Sequence, residues 1–522
     1  MKRIFLIILA SLLLFQSSPL KAADGYKNPI IPGYYPDPSV CRVGDDYYLV
    51  NSSFAYFPGV PIFHSKDLIN WEQIGYCLTR DSQLPLPNAG VSGGIYAPTI
   101  RYNNGYFYMI TTNVTKGGNF IVYTKDPASE WSEPIYVKQG GIDPSLYFEG
   151  DKCYLVSNPN GIVLSEIDIK TGALLSSPVT IWRGTGGRHP EGPHIYKIND
   201  WYYLMIAEGG TEMGHKETIA RSRSIAGPYE SNPNNPILTQ FDMKSQRSPI
   251  QGTGHADLVQ AKDGSWWLVF LGFRPIDKHH FLGRETFMAP VEWNSDGWPV
   301  VNNGESIQID MKHQTLPLVP VAAKDSIEQF NENKLPFEWN YLRNPKLSSY
   351  SLTQHKGFLR LIADTVSLDD LASPTFVCRR QQHFDFKAET KMLFSSKTNG
   401  DIAGLTVFMS NRFHYDLVLE KSGPKNILKL ILHVGEINHV QKAIALNTSM
   451  IYLRVTGDKS MYYFWYSLDG KQYNYLSKAD TRLLSTETAG GFTGMMIGMF
   501  GQSVSQAHPL VADYDWFVYS GK

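Results

Sequence analysis

Asp37, Asp143, Glu191 and His255 are the side chains with which this sequence could do acid–base chemistry at one place, because each stands at or beside the same point of a repeated motif. The motif is a small or acidic residue, proline, a small polar residue and an apolar residue. Its copies read Asp37-Pro38-Ser39-Val40, Ala97-Pro98-Thr99-Ile100, Asp143-Pro144-Ser145-Leu146 and Gly192-Pro193-His194-Ile195, with a degenerate fifth, His255-Ala256-Asp257-Leu258. Carboxylates are disfavoured in strands and costly when buried, so three of them brought to one spot are hard to explain by packing. Cleavage of a glycosidic bond has such a requirement: one carboxylic acid protonates the leaving oxygen, and one carboxylate activates water or attacks. His255 also has two plainer readings, a packed core histidine and a ligand for a structural cation.

The elements that must position these residues are legible in the segment just after each copy. A polar turn leads into an aromatic-rich, alternating run at 46–50, 105–109, 152–156, 200–204 and 264–268, which the pattern predicts as strands. Spacings of 46 to 63 residues between copies match the period of four-stranded propeller blades. Five copies predict an all-β, five-bladed propeller in which the start of each innermost strand faces one central channel. The composition agrees: 30 Tyr, 26 Phe and 11 Trp with 44 Gly and 31 Pro is the mixture of short strands and tight turns, not of long helices. Aromatic faces beside carboxylates also suit sugar rings. A polyanion binder is excluded by 48 Lys and Arg against 49 Asp and Glu, since phosphate-dominated affinity needs a basic surplus.

After Leu316-Pro317-Leu318-Val319-Pro320 the character changes. Alternating runs at 426–434, 450–456 and 461–467, the last closing on Asp469-Gly470, predict a β-sandwich. The resulting organisation is a signal peptide at 1–23, a propeller at 24–315 and a sandwich at 325–522. The signal peptide reading rests on Lys2-Arg3, an apolar run at 4–15 too short to span a bilayer, and the small pair Ala22-Ala23. An exported protein, periplasmic or extracellular and free of the membrane after cleavage, is expected. Cys41, Cys77, Cys153 and Cys378 show neither zinc nor redox spacing; buried free thiols are expected, with one disulfide as the alternative.

Several segments together resemble glycoside hydrolase family 43: Tyr35-Pro36-Asp37-Pro38-Ser39, Phe57-Pro58-Gly59-Val60, His64-Ser65-Lys66-Asp67-Leu68-Ile69-Asn70-Trp71, Glu191-Gly192-Pro193-His194-Ile195-Tyr196-Lys197 and Leu282-Gly283-Arg284-Glu285-Thr286. The likeness is to the β-xylosidase and α-L-arabinofuranosidase members and spans the mature chain. It implies a five-bladed propeller followed by a concanavalin-like β-sandwich, and exo-acting, inverting release of terminal β-1,4-xylosyl or α-L-arabinofuranosyl units from xylan-derived oligosaccharides or side chains. By resemblance Asp37 is the general base, Glu191 the general acid and Asp143 the carboxylate that orients the acid and raises its pKa. Arg284, His255, Phe54 and Tyr96 are the implied substrate-binding residues. Tyr96 stands where related xylosidases carry tryptophan. Gly490-Gly491-Phe492-Thr493-Gly494 resembles the sandwich loop that closes the pocket in this architecture. No metal or cofactor is implied for the chemistry, a structural cation in the channel is compatible with it, and homo-oligomerisation is left open. Two rival readings are a non-catalytic plant-glycan-binding propeller and a glycosidase of the same fold acting on arabinan, galactan or fructan; against the fructan enzymes, Asp37 lacks their flanking asparagines. Glu208 and Glu212, beside Gly209-Gly210, read as loop residues outside the site.

Overall fold

A computed structural model describes residues 25–241, 248–312, 315–322 and 326–522. The apolar run and the cleavage position near Ala23 lie outside the described residues.

Five antiparallel four-stranded meanders form the first half. Blade 1 runs Ser39–Val43, Asp46–Val50, Gly59–Ser65 and Glu72–Leu78. Blade 2 runs Thr99–Asn103, Tyr106–Asn113, Gly118–Thr124 and Ile135–Tyr136. Blade 3 runs Ser145–Glu149, Lys152–Ser157, Ile162–Ile167 and Val179–Trp182. Blade 4 runs Glu191–Ile198, Trp201–Glu208, Lys216–Ser222 and Glu230–Ser231, with Leu238–Thr239 added to its third strand. Blade 5 runs Gln251–Gln260, Trp266–Phe273, Glu285–Trp293 and Pro299–Val301. The first strand of each blade touches the first strand of the next, and Gln251–Gln260 touches Ser39–Val43, so the ring closes with the repeat motif innermost.

What ties the five inner strands together lies two residues beyond the acidic position, where a strand's period of two brings side chains back to the same face. The buried Asp257 carboxylate accepts from Ser39 Oγ at 2.6 Å, Arg101 Nη1 at 2.7 Å and Tyr196 OH at 2.6 Å. Arg101 Nη2 lies 2.9 Å from His194 Nδ1, which is 3.0 Å from Ser145 Oγ. One residue or more from every blade therefore meets in a single polar network. Arg101 drives the Asp257 carboxyl far down despite its burial, so this layer stays ionised and hydrogen-bonded while the layer above it is free for chemistry.

Two sheets pack face to face in the second half. One is built around Ile402–Ser410, Phe413–Ser422, Lys425–Val434 and Met496–Gln502; the other around Phe386–Ser395, Met450–Gly457, Met461–Ser467 and Val511–Gly521. The predicted runs at 426–434, 450–456 and 461–467 are all strands, and Gly470 takes φ 71° at the predicted turn. The two halves are not beads on a string. Tyr56–Phe57, an excursion between two strands of blade 1, pairs with Asn340–Leu342 and becomes the last strand of the first sandwich sheet. An apolar core containing Phe54, Leu84, Leu86, Phe376, Phe408 and Met496 fills the junction. All four cysteines are buried and unpaired.

Candidate active site

The motif's first residue is set by backbone geometry as much as by side chain. Asp37, Asp143, Gly192 and His255 have φ of 53°, 51°, 58° and 51°, all left-handed. Such a residue turns the chain sharply from its approach loop into the inner strand. For a non-glycine residue it costs on the order of 1–3 kcal/mol, a strain that clusters at working sites. At position 192 a Cβ would stand 3.0 Å from the His255 ring, so any side chain there would press on that ring.

All seven residues expected at the site line one cavity of about 110 Å³: Asp37, Phe54, Tyr96, Asp143, Glu191, His255 and Arg284. That is the liquid volume of roughly three to four waters, the scale of one sugar ring and not of a chain. Ala97, Ile142 and Thr211 complete the propeller's share of the wall, and Phe492 reaches in from the sandwich. A larger groove of about 750 Å³ lies between Trp71 and Trp339 at the domain junction and contains none of the motif carboxylates.

Asp37 is buried, accepting from Arg284 Nη1 at 2.8 Å and from Ser52 Oγ at 2.5 Å. Burial pushes its carboxyl up, but Arg284, His255 and the Ser52 hydrogen bond outweigh burial and hold it below the ordinary carboxylate range. Asp37 is thus an ionised base. Glu191 is moved the other way, to about 7, first by burial and then by the negative charge of Asp37, with Arg284 opposing. Asp143 is raised well above its ordinary value by burial, by Glu191 and by Asp37, with the Ala97 N–H opposing. Asp143 and Glu191 hold at least one proton between them at neutral pH. Sequence reasoning had Asp143 raising Glu191; burial and Asp37 are the leading causes, and Asp143 is itself protonated readily. The arrangement therefore contains one carboxylate and one carboxylic acid around a single small space, which is the requirement for protonating a leaving oxygen while activating water.

Residues 26–299 match glycosyl hydrolases family 43, and residues 327–520 match the β-xylosidase C-terminal concanavalin A-like domain. The chain belongs to glycosyl hydrolases family 43. It is an O-glycosyl hydrolase, exo-acting, with a five-bladed propeller and a concanavalin-like second domain. A non-reducing-end α-L-arabinofuranosidase of Bacteroides ovatus is 41% identical over 99% of this chain and 98% of its own length. A xylosidase/arabinosidase of Butyrivibrio fibrisolvens is 39% identical over 94% of this chain and 98% of its own. Among solved structures, the Bacteroides ovatus protein described as "Xyloglucan PUL GH43B" superposes with a TM-score of 0.92 at 41% identity, covering 95% of this chain and all of that one.

In this family 43 enzyme part of the cavity wall is aromatic. Phe54 lies 5.3 Å from Tyr96 and 6.1 Å from Phe492, centroid to centroid, and Arg284 sits 5.8 Å from both phenylalanine rings. The 490–494 loop is pinned to the propeller by Phe492 N donating to Ser92 Oγ at 2.9 Å and Met495 N donating to Phe281 O at 2.9 Å. Its approach is so close that a Cβ on Gly494 would stand 2.4 Å from the Leu282 carbonyl oxygen.

Three residues escaped the sequence reading. Thr211 Oγ1 is buried in the cavity wall with no hydrogen-bond partner among the described residues. His215, behind His255, is held near 3 by burial and is neutral. Glu208 is no loop residue. It ends the second strand of blade 4, fully buried, and accepts from Thr185 N, Gly187 N and Thr218 Oγ1 at 2.8–3.0 Å, fixing the loop that leads to Glu191. Glu212 is exposed and pairs with Arg188 at 2.5 Å. Donor atoms of Asp143, Glu191 and His255 lie within 4.8 Å of one another, so these are the residues that could also hold a cation at the channel mouth.

Proposed function

We propose that this enzyme removes terminal α-L-arabinofuranosyl units from the non-reducing ends of plant oligosaccharides or side chains, by single displacement with inversion. Asp37 takes a proton from a water molecule, the water oxygen bonds to the anomeric carbon, and the glycosidic bond breaks as Glu191 gives its proton to the departing oxygen. Asp143 orients Glu191 and shares its proton. Arg284, His255 and Thr211 meet sugar hydroxyls, and Phe54, Tyr96 and Phe492 cover its apolar faces.

The observation that carries this reading is the opposed protonation of Asp37 and Glu191 about a cavity with room for one sugar ring. The preference for arabinofuranosyl rests on near end-to-end similarity to the arabinofuranosidase. A second reading, release of terminal β-1,4-xylosyl units, is favoured by similarity to the xylosidase/arabinosidase. Nitrophenyl α-L-arabinofuranoside and β-xyloside, followed by arabinosylated and plain xylo-oligosaccharides with product identification, separate the two. Time-resolved proton spectra should show the inverted anomer first, and the retained anomer first would reject single displacement. The proposed site of action is outside the cytoplasm, supported by the Lys2-Arg3 start and the apolar run; N-terminal sequencing of protein from cell fractions tests it.

A further inference from the structure

The sandwich carries a compact polar group that the hydrolytic site does not use. His414, on Phe413–Ser422, and His433, on Lys425–Val434, face each other across neighbouring strands. Their rings stack at 3.9 Å between centroids and 17° between planes. Asp416, two residues after His414, lies on the same face of the sheet. Asp369 comes from the loop that precedes Thr375–Arg380 and is exposed to solvent.

The distances divide this group into two sides. On one side Asp369 Oδ1 stands 3.2 Å from His414 Nε2 and 3.2 Å from His433 Nδ1. On the other, Asp416 Oδ1 is 2.9 Å from His414 Nδ1 and Asp416 Oδ2 is 3.4 Å from His433 Nε2. A single carboxylate thus meets the far nitrogen of both rings. A neutral imidazole has one N–H, and a carboxylate demands it. With a cation bound, both rings would be neutral, their N–H groups would turn to Asp416, and the two nitrogens facing Asp369 would present lone pairs to it. His433 Nδ1, on a side chain nine-tenths buried, has no hydrogen-bond partner among the described residues. Without an ion, a proton holds this group together: burial lowers the His414 imidazole, but Asp416 and Asp369 outweigh it and raise it to about 9. His414 Nε2 lies 3.2 Å from Asp369 Oδ1, so a cation would take the place of that proton.

We propose that Asp369, His414 and His433 bind a divalent d-block cation of the zinc class, with water as fourth ligand. Two nitrogens and one carboxylate oxygen are a zinc-type donor set, and tetrahedral ligands at about 2.0–2.1 Å from zinc lie roughly 3.3–3.4 Å from each other. The two 3.2 Å separations are close to that edge length. Asp416 plays the part of the outer carboxylate that fixes which nitrogen of each metal-binding histidine is free. Seating the ion requires the stacked rings to splay so that both in-plane lone pairs converge on it. The exposed Asp369 marks the route from solvent.

The ion would staple the 368–372 loop to the sheet. That loop already meets the domain junction: Asn411 Nδ2 donates to Leu368 O and Asp370 O, and Arg343 donates to Ala372 O at 2.7 Å and to Ala89 O of the propeller at 2.6 Å. The cation is a structural one for the interface between the halves.

The test uses the full, untagged chain carrying Glu191→Gln, so that the donors at the channel mouth do not compete, stripped with chelator and titrated with Zn²⁺ and Co²⁺. One equivalent should bind, with tetrahedral-type cobalt absorption and a thermal midpoint that rises with zinc. Asp369→Asn, a loop change that leaves the sheet intact, and His433→Gln should each abolish the equivalent. Asp416→Asn should weaken it by roughly 10- to 100-fold. No binding to the parent chain, or an undiminished equivalent in Asp369→Asn, would overturn the proposal; the latter decides the matter even if His433→Gln fails to fold.

Discussion

Arg284 Nη1 stands 2.8 Å from Asp37 Oδ1, and both residues are more than nine-tenths buried. At that depth the pair is weakly screened, so removing the cation leaves an uncompensated carboxylate in a poorly solvated space. Arg284 opposes the rise of two carboxyls at once, since it lowers both Asp37 and Glu191. Its removal therefore has a directional signature.

Arg284→Gln should move both limbs of the pH profile of kcat/KM upward. The acid limb reports loss of the Asp37 base as pH falls, and the alkaline limb reports loss of the Glu191 proton as pH rises; both groups gain pKa when the guanidinium goes. A variant that merely lost sugar contacts would keep its limbs where they were and change only in height. Measuring kcat/KM across both limbs of the profile distinguishes the two.

Glu191 at about 7 places the alkaline limb near neutrality. Glu191→Gln should cripple natural glycosides far more than aryl glycosides, whose phenolate departs with little protonation, whereas Asp37→Asn should cost both alike, on the order of 10² to 10⁴-fold. Azide should restore turnover to Asp37→Asn, attacking in place of the activated water, and not supply the proton missing from Glu191→Gln. Asp143→Asn should leave the alkaline limb near that of the parent, because burial and Asp37, not Asp143, raise Glu191; a downward shift would show that Asp143 carries charge when Glu191 titrates. Equal losses on both substrate types for Glu191→Gln would show that the acid has been assigned to the wrong residue.

The same burial predicts that catalysis costs stability. A carboxyl raised in the folded state binds its proton more tightly there than in the unfolded chain, so it destabilises as pH rises above the ordinary Glu value of 4.5 and does so fully above about 7. Glu191→Gln should stabilise the enzyme at mildly alkaline pH by on the order of 3–4 kcal/mol, at about 1.4 kcal/mol per pKa unit. At acid pH, where Glu191 is protonated in both states, the gain should vanish. Chemical denaturation on the two sides of this window measures it, and a gain independent of pH would mean that packing, not ionisation, is responsible.

How far the sequence could be read depended on whether a feature was local. The motif with its following aromatic strand is local, and it placed Asp37, Asp143, Glu191 and His255 around one channel without further help. Asp257 as the hub below them was hidden, because a single aspartate in a strand does not announce that Ser39, Arg101 and Tyr196 converge on it from three other blades. Tyr56–Phe57 as a sandwich strand was equally hidden: two residues carry no period, and their partner lies far along the chain in the other domain. Glu208 was misread because Gly209-Gly210 suggests a loop, while the hydrogen bonds that bury it come from residues well before it in the chain. The 490–494 loop was legible only through resemblance, since nothing in Gly-Gly-Phe-Thr-Gly says which surface it meets.

That loop gives the sharpest test of whether the sandwich completes the site. Phe492 is the cavity wall contributed by the second domain, and it is exposed and stacked over Phe54, so removing its ring opens the pocket without emptying a core. Phe492→Ala should leave the thermal midpoint near that of the parent while lowering kcat/KM. Gly494→Ala reaches the same end by a different route. Its new Cβ would stand 2.4 Å from the Leu282 carbonyl oxygen, a backbone atom that cannot step aside, so the loop itself must lift from the propeller. Lifting carries Phe492 away from the sugar and loosens the Phe492 carbonyl from Arg284 Nη2, 3.5 Å away. A displacement of about 1 Å at a reacting centre costs on the order of 10²-fold, and a loss of that size from one methyl group on the domain that carries none of the catalytic carboxylates would be a positional effect and not a chemical one. Both variants should lose more on oligosaccharides than on small aryl glycosides, whose binding depends less on a closed wall. Wild-type kcat/KM in both, with unchanged substrate ranking, would show that the propeller acts alone and that the sandwich serves the fold only.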